Sequence, residues 1–137
     1  MSDSVLALDV GSKRIGIAVG EGTFAFPHAT LERTNVRADV AQIVALAHER
    51  GVRTIVVGDP LTMAGERGLA SEKIDAFVAH LARAWDGTID RIDERLTTAA
   101  AQKTLIGADV SRAKRKGVVD QLAAVGILQT WLARKQR

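Results

Sequence analysis

Acidic residues stand at four separated places in this 137-residue chain where a carboxylate is costly or conspicuous: Asp9, Asp59, Asp93 with Glu94, and Asp120. Asp9 lies at the end of the apolar run Val5-Leu6-Ala7-Leu8, where an ionised group is expensive unless it is paired or binds a metal. Carboxylates crowded together repel one another and push their pKa values up. A hard divalent cation with oxygen ligands, Mg²⁺ or Mn²⁺, relieves that repulsion. Two such ions about 4 Å apart can activate a water and stabilise the leaving oxygen of a phosphodiester. Each acid also has a plain structural reading. Asp9 can accept from the turn amides at Gly11 and Ser12, and Asp59 before Pro60 can shape a turn. Asp93 can pair with Arg91 or Arg95, and Asp120 can stand exposed on a helix. What separates the readings is whether the acids arrive at one place, so the elements that carry them decide.

Val5–Val10 reads as a strand apolar on both faces, as in the middle of a sheet. Arg14 to Val19 is a second strand, and the link Gly11-Ser12-Lys13 is too short for a parallel crossover, so the two are antiparallel. After the turn Gly20-Glu21-Gly22, Thr23 to about Leu31 returns as a third strand, with Pro27 marking an edge or a bulge. Asn35 is an N-cap for a helix carrying Val36, Val40, Ile43, Val44 and Ala47, with Gly51 at its C-terminal end. Arg53 to Gly58 holds a β-branched run that reads as a buried strand beside the first, reached by a parallel crossover. Leu61 to Gly68 is a loop, Ile74 to Trp85 an amphipathic helix, and Thr88 to Glu94 a fifth strand. Thr97 or Thr98 can cap a short helix through Leu105. Ile106 to Gly117 reads as a basic loop or frayed helix, and Val118 to Ala133 as a final helix rich in small residues. No internal repeat or linker interrupts a single domain over residues 1–137.

With strand one central, the order is 3-2-1-4-5: an α/β, ribonuclease H-like, five-stranded mixed sheet flanked by helices. In that order strands one, four and five are parallel, and Asp9, Asp59 and Asp93-Glu94 lie at their carboxyl ends, along the rim where such sheets bind ligands. A final helix crossing the sheet brings Asp120 to the same rim.

Composition narrows the field. Hydrophobic residues make up 47% and charged residues 26%, the balance of a globular domain. There is no cysteine, and His28, His48 and His80 are unpaired in sequence, so a Cys or His zinc site has no support. The start has the features of no signal peptide, and no apolar stretch approaches the roughly 20 residues of a membrane span, so a cytoplasmic location is expected. Net charge is +3, but Arg112, Lys114, Arg115 and Lys116 cluster, as do Arg134, Lys135 and Arg137. Such clusters suit phosphate backbones and also plain solvated surfaces.

Four blocks of the chain carry a family resemblance. Asp9-Val10-Gly11-Ser12-Lys13-Arg14-Ile15-Gly16-Ile17-Ala18 resembles the opening motif of the YqgF family, also called RuvX. Val56-Val57-Gly58-Asp59-Pro60-Leu61-Thr62-Met63-Ala64-Gly65 is similar to its second block, and Asp93-Glu94-Arg95-Leu96-Thr97-Thr98 to its third. Lys116-Gly117-Val118-Val119-Asp120-Gln121-Leu122-Ala123-Ala124 with Ile127-Leu128-Gln129 is similar to its fourth. The resemblance implies a ribonuclease H-like fold related to Holliday-junction resolvases. It also implies a nuclease for the 5′ end of pre-16S ribosomal RNA, with branched DNA as the older alternative. Asp9, Glu94 and Asp120 are then the catalytic acids and the ligands of Mg²⁺ or Mn²⁺. Asp59 is a departure, since the family more often has an apolar residue there; it either adds a ligand or shapes the turn. Arg14, Arg95, Arg112, Lys114, Arg115 and Lys116 are candidate phosphate contacts, while Arg14 and Arg95 are equally placed to neutralise neighbouring acids.

Two other classes compete. ATP-binding proteins of the actin and sugar-kinase type also open with a strand and an Asp-x-Gly loop, but they need a second lobe for which 137 residues leave no room. A non-catalytic nucleic-acid binder accounts for the basic clusters and leaves Asp9, Glu94 and Asp120 unexplained. The expected partner is nucleic acid, RNA foremost and branched DNA second, with no membrane; a homodimer is left open.

Overall fold

A computed structural model describes residues 4–61, 64–97 and 112–135, the side chains of 112–116 excepted. Strands β1 (Val5–Val10), β2 (Arg14–Glu21) and β3 (Phe24–Glu32) come first, followed by α1 (Val36–Glu49), β4 (Thr54–Asp59), α2 (Leu69–Ala84) and β5 (Thr88–Asp93). A 3₁₀ turn at Glu94–Leu96 follows β5, and α3 spans Arg112–Lys135. One sheet holds all five strands in the order β3-β2-β1-β4-β5. β1 is antiparallel to β2 and parallel to β4, and β4 is parallel to β5. This is the ribonuclease H-like arrangement expected from the link lengths.

Local chemistry explains the element ends. The β1–β2 link is closed by the Gly11 amide donating to the Arg14 carbonyl at 2.8 Å. Asn35 caps α1 by accepting from the Ala38 amide at 2.9 Å, and Gly51, at φ +67°, takes the left-handed conformation that ends it. On β3, Pro27 pairs with Ala18 and Ala29 with Ile17, so His28 is the extra residue of a bulge on this edge strand.

Helices cover both faces of the sheet. On one, Leu6, Leu8, Ile15, Ile17, Ile55 and Val57 pack with Val40 and Ile43 of α1 and with Ile74, Phe77 and Leu81 of α2. On the other, Val5, Ala7, Ala18, Val56 and Ile92 pack with Ala124, Ile127, Leu128 and Leu132 of α3. Each fully buried Leu, Ile or Phe contributes roughly 1.5–3 kcal/mol. Small residues on the α3 face let that helix lie close: a Cβ on Gly20 would meet Leu128 at 3.1 Å.

Helix α3 begins at Arg112, not at Val118, so the basic segment expected as a loop or frayed helix forms its first turns and Gly117 lies within it. Thr97 closes the 3₁₀ turn, its amide donating to the Glu94 carbonyl at 3.1 Å. The remainder of the short helix expected there, 98–105, lies outside the described residues.

Candidate active site

Strand alternation decides which acids meet. Side chains on a strand switch faces at every residue, so Asp9 continues the Val5–Ala7 row on the α3 face; it is 5% exposed. Its cross-strand partner on β2 is Gly16. A Cβ on Gly16 would lie 1.9 Å from the Asp120 carbonyl oxygen and 2.9 Å from the Asp120 Cβ. Only glycine admits α3 this closely, and the approach sets Asp120 beside Asp9. On the other side, Leu8 pairs with Val57, and one further step of that register puts Gly58 beside Asp9. A Cβ on Gly58 would lie 2.6 Å from Glu94 Oε1 and 2.5 Å from Ile127 Cδ1. Neighbouring strands are about 4.8 Å apart. Asp120, Asp9 and Glu94 therefore form a row over β2, β1 and β4, with Asp9 in the middle.

Hydrogen bonds fix the helix that carries Asp120. Arg14 Nε donates to Asp120 Oδ2 at 3.0 Å, with both side chains mostly buried. Thr30 Oγ1 on β3 donates to the Gly117 carbonyl at 2.8 Å, and Gln121 Nε2 donates to Thr30 Oγ1 at 3.1 Å. Glu94 and Asp9 share a cleft of about 370 Å³ over the carboxyl ends of β1 and β4.

Asp59 lies on the other face. It follows Ile55 and Val57 toward α2, and both of its oxygens are engaged there. Ser71 Oγ donates to Oδ1 at 2.6 Å and Arg67 Nη1 to Oδ2 at 3.1 Å, while Arg91 Nη2 makes an ion pair with Oδ2 at 3.1 Å. Arg67 and Arg91 also bond Asp75. The hydrogen bond from Arg91, helped by the charge of Arg67, holds the Asp75 carboxyl below the usual carboxylate range. Asp93 pairs with Arg95 at 2.6 Å, and that hydrogen bond lowers its pKa as well. Asp59 and Asp93 are thus engaged away from the face that carries Asp9, and of the four acidic places Asp9, Glu94 and Asp120 lie on that face.

Among the candidate phosphate contacts, Arg14 is bonded to Asp120 and Arg95 to Asp93. Arg112, Lys114, Arg115 and Lys116 occupy the first turns of α3, within nine residues of Asp120; their side chains lie outside the described set. Sequence reasoning passed over Arg33 and Asp39. Arg33 donates through Nε to Asp39 Oδ2 at 3.1 Å and through Nη1 to the Gly11 carbonyl at 2.9 Å, with its guanidinium over the Phe77 ring. It thereby ties the turn after Asp9 to α1 and α2. The signal was available: Asp39, fully buried, takes a core-facing phase of α1 beside Val40 and Ile43.

Hard carboxylate oxygens in one row are the donor set a divalent magnesium-type ion takes, and the missing Cβ of Gly58 leaves a cradle in which the Glu94 carboxylate sits. The chemistry of these donors suits such an ion. As placed, no three His, Cys, Asp or Glu side chains among the described residues lie close enough together to hold a metal ion. No helix among the described residues is long and apolar enough to cross a membrane.

Known proteins share this sequence and this fold. The sequence pattern described as "RuvX: Holliday junction resolvase" matches residues 3–134. A Halalkalibacterium halodurans protein named "Putative pre-16S rRNA nuclease" is 48% identical over 135 residues, covering 96% of each chain. A Myxococcus xanthus protein of the same name is 45% identical over 129 residues, covering 93% of this chain and 85% of that one. In structure, Thermus thermophilus RuvC in complex with a Holliday junction substrate superposes with a TM-score of 0.61 at 13% identity, over 97% of this chain and 95% of that one. That likeness establishes the ribonuclease H-like fold. With the match over 3–134 and relatives this similar across nearly their whole length, the chain belongs to the RuvX family.

Proposed function

We propose that this protein is a divalent-metal-dependent nuclease acting in the cytoplasm on precursor ribosomal RNA, at the 5′ end of the pre-16S sequence. The observation that carries the reading is the row formed by Asp120, Asp9 and Glu94, drawn from α3, β1 and the turn after β5 onto one face of the sheet. These three would hold Mg²⁺ or Mn²⁺. The ion supplies activation of a water and stabilisation of the leaving oxygen.

The protein's own contribution is positioning. Gly16 and Gly58 clear the space that Asp120 and Glu94 occupy, and Arg14 orients the Asp120 carboxylate. Four cations in the first turns of α3 crowd the positive end of a helix dipole, an arrangement unfavourable to the helix alone. A phosphate backbone beside Asp120 relieves it. A binder without catalysis would have no use for the acidic row, whose repulsion weakens its hold on phosphate. The RNA substrate is taken from the names of the relatives, and the description of the family favours branched DNA as the second reading within the same chemistry.

The test is cleavage by pure protein of labelled pre-16S RNA and of a four-way DNA junction, with Mn²⁺, with Mg²⁺, and in excess chelator. Metal-dependent cutting of the RNA is expected. Undiminished cutting in chelator overturns the metal site, and cutting of the junction alone moves the substrate to DNA.

A further inference from the structure

The acidic row faces α3, yet the cleft shared by Asp9 and Glu94 does not stop on that face. It runs over the carboxyl ends of β1 and β4, between the Gly11–Ser12 turn and Pro60, and reaches α2, where Lys73 lines its wall. The loops after β1 and β4 leave in opposite directions, toward β2 and toward α2, which opens the crevice between them.

Two cations line this part of the cleft, Arg33 and Lys73. Arg33 is committed to Asp39 and to the Gly11 carbonyl. Lys73 is exposed and makes no ion pair with a described residue. An unengaged ammonium on a flexible stem, in the same cleft as two catalytic carboxylates, offsets their repulsion of an incoming polyanion. We propose that Lys73 contacts a phosphate of the substrate strand on the α2 side of the scissile bond, opposite the side approached by the basic start of α3. The strand would then cross the rim of the sheet past the acidic row, with Lys73 on its α2 side. This rests on the nuclease reading above.

The experiment measures binding in an Asp9→Asn background, so that cleavage does not intervene. Fluorescent single-stranded RNA and a four-way DNA junction are titrated over a range of salt for Asp9→Asn alone and with Lys73→Ala, Lys73→Glu or Lys73→Arg. Arg83→Ala, ten residues along the exposed side of α2 and about 15 Å away, is the control. Lys73→Ala is expected to weaken binding severalfold and to reduce the slope of log affinity against log salt by roughly 0.7 on RNA or 0.9 on duplex arms. Lys73→Glu should weaken it further, Lys73→Arg should restore it, and Arg83→Ala should match the background. In the otherwise native enzyme, Lys73→Ala should raise KM more than it lowers kcat. Slopes unchanged by Lys73→Ala while the background binds nucleic acid overturn the assignment of Lys73 and leave the nuclease reading standing. Failure of the background to bind either probe removes that reading, and the Lys73 assignment falls with it.

Discussion

Arg14 Nε lies 3.0 Å from Asp120 Oδ2, joining β2 to α3 across 106 residues of sequence. A charged hydrogen bond in a mostly buried setting is worth about 1.5–3 kcal/mol, and here it also aims a carboxylate of the proposed site. Arg14→Ala should therefore lower thermal stability by about 1–2 kcal/mol and turnover by roughly 10-fold. Lysine, which lacks the fork, should recover stability more fully than rate. Parallel melting curves and cleavage rates check this, and equal recovery of both would reduce Arg14 to a structural pin.

The three acids in the row should behave alike. Asp9→Asn, Glu94→Gln and Asp120→Asn each keep shape and remove charge, and each should lower turnover by at least about 100-fold, roughly 2.7 kcal/mol of barrier. Substrate affinity should change little. Single-turnover cleavage with a separate binding titration measures both. A near-normal rate for Asp9→Asn would mean that this carboxylate holds a turn and no metal.

Gly16 and Gly58 should fail in different ways. A Cβ at position 16 meets the backbone of α3 at 1.9 Å, which cannot give way without moving the helix. Gly16→Ala should cost about 2–3 kcal/mol of stability along with activity. At position 58 the obstacles are the flexible ends of Ile127 and Glu94. Gly58→Ala should cost about 1 kcal/mol but displace the Glu94 carboxylate, so rate should fall more than stability. Denaturant melts beside cleavage rates would show the contrast, and similar stability losses for the two variants would contradict it.

Asp59 and Asp75 should matter to stability more than to rate. Asp59→Asn removes the charge facing Arg67 and Arg91 on the α2 side of the sheet, and should cost about 1–3 kcal/mol with turnover changed less than about threefold. Asp75 has its pKa lowered by Arg91 and Arg67. A depressed carboxylate stabilises the fold above its unfolded value, near 3.9, and that stabilisation is lost as pH falls through the folded value. The melting-temperature gap between the parent and Asp75→Asn should therefore be full above about pH 5 and narrow below about pH 4. A gap independent of pH would remove the linkage, and a large rate loss in Asp59→Asn would return that residue to the reaction.

The sheet order was legible because link lengths leave few choices: three residues between β1 and β2 force a hairpin, and a helix between β3 and β4 permits a crossover. Asp9 was legible as a charge at the end of an apolar strand. The face of Asp59 was not. A strand buried on both sides shows no polar alternation, and only the pairing of Leu8 with Val57 reveals that Gly58, and not Asp59, shares the face of Asp9. The Ser71–Asp59–Arg91 arrangement depends on that same register together with the rotation of α2. Neither is written in any one segment of sequence. The start of α3 was misplaced because Gly117 and four cations read as a helix breaker, whereas the close contact of α3 with β2 and β3 carries the helix through them.

The long span between Arg14 and Asp120 has a consequence for the order in which the molecule is made. Chains grow from the N-terminus at about 5–20 residues per second, so the 106 residues from Ile15 to Asp120 take roughly 5–20 s to polymerise. Throughout that interval the nascent chain carries Asp9 without its neighbour on α3. The acidic row on which the proposed reaction depends is therefore incomplete until α3 has been made and has docked.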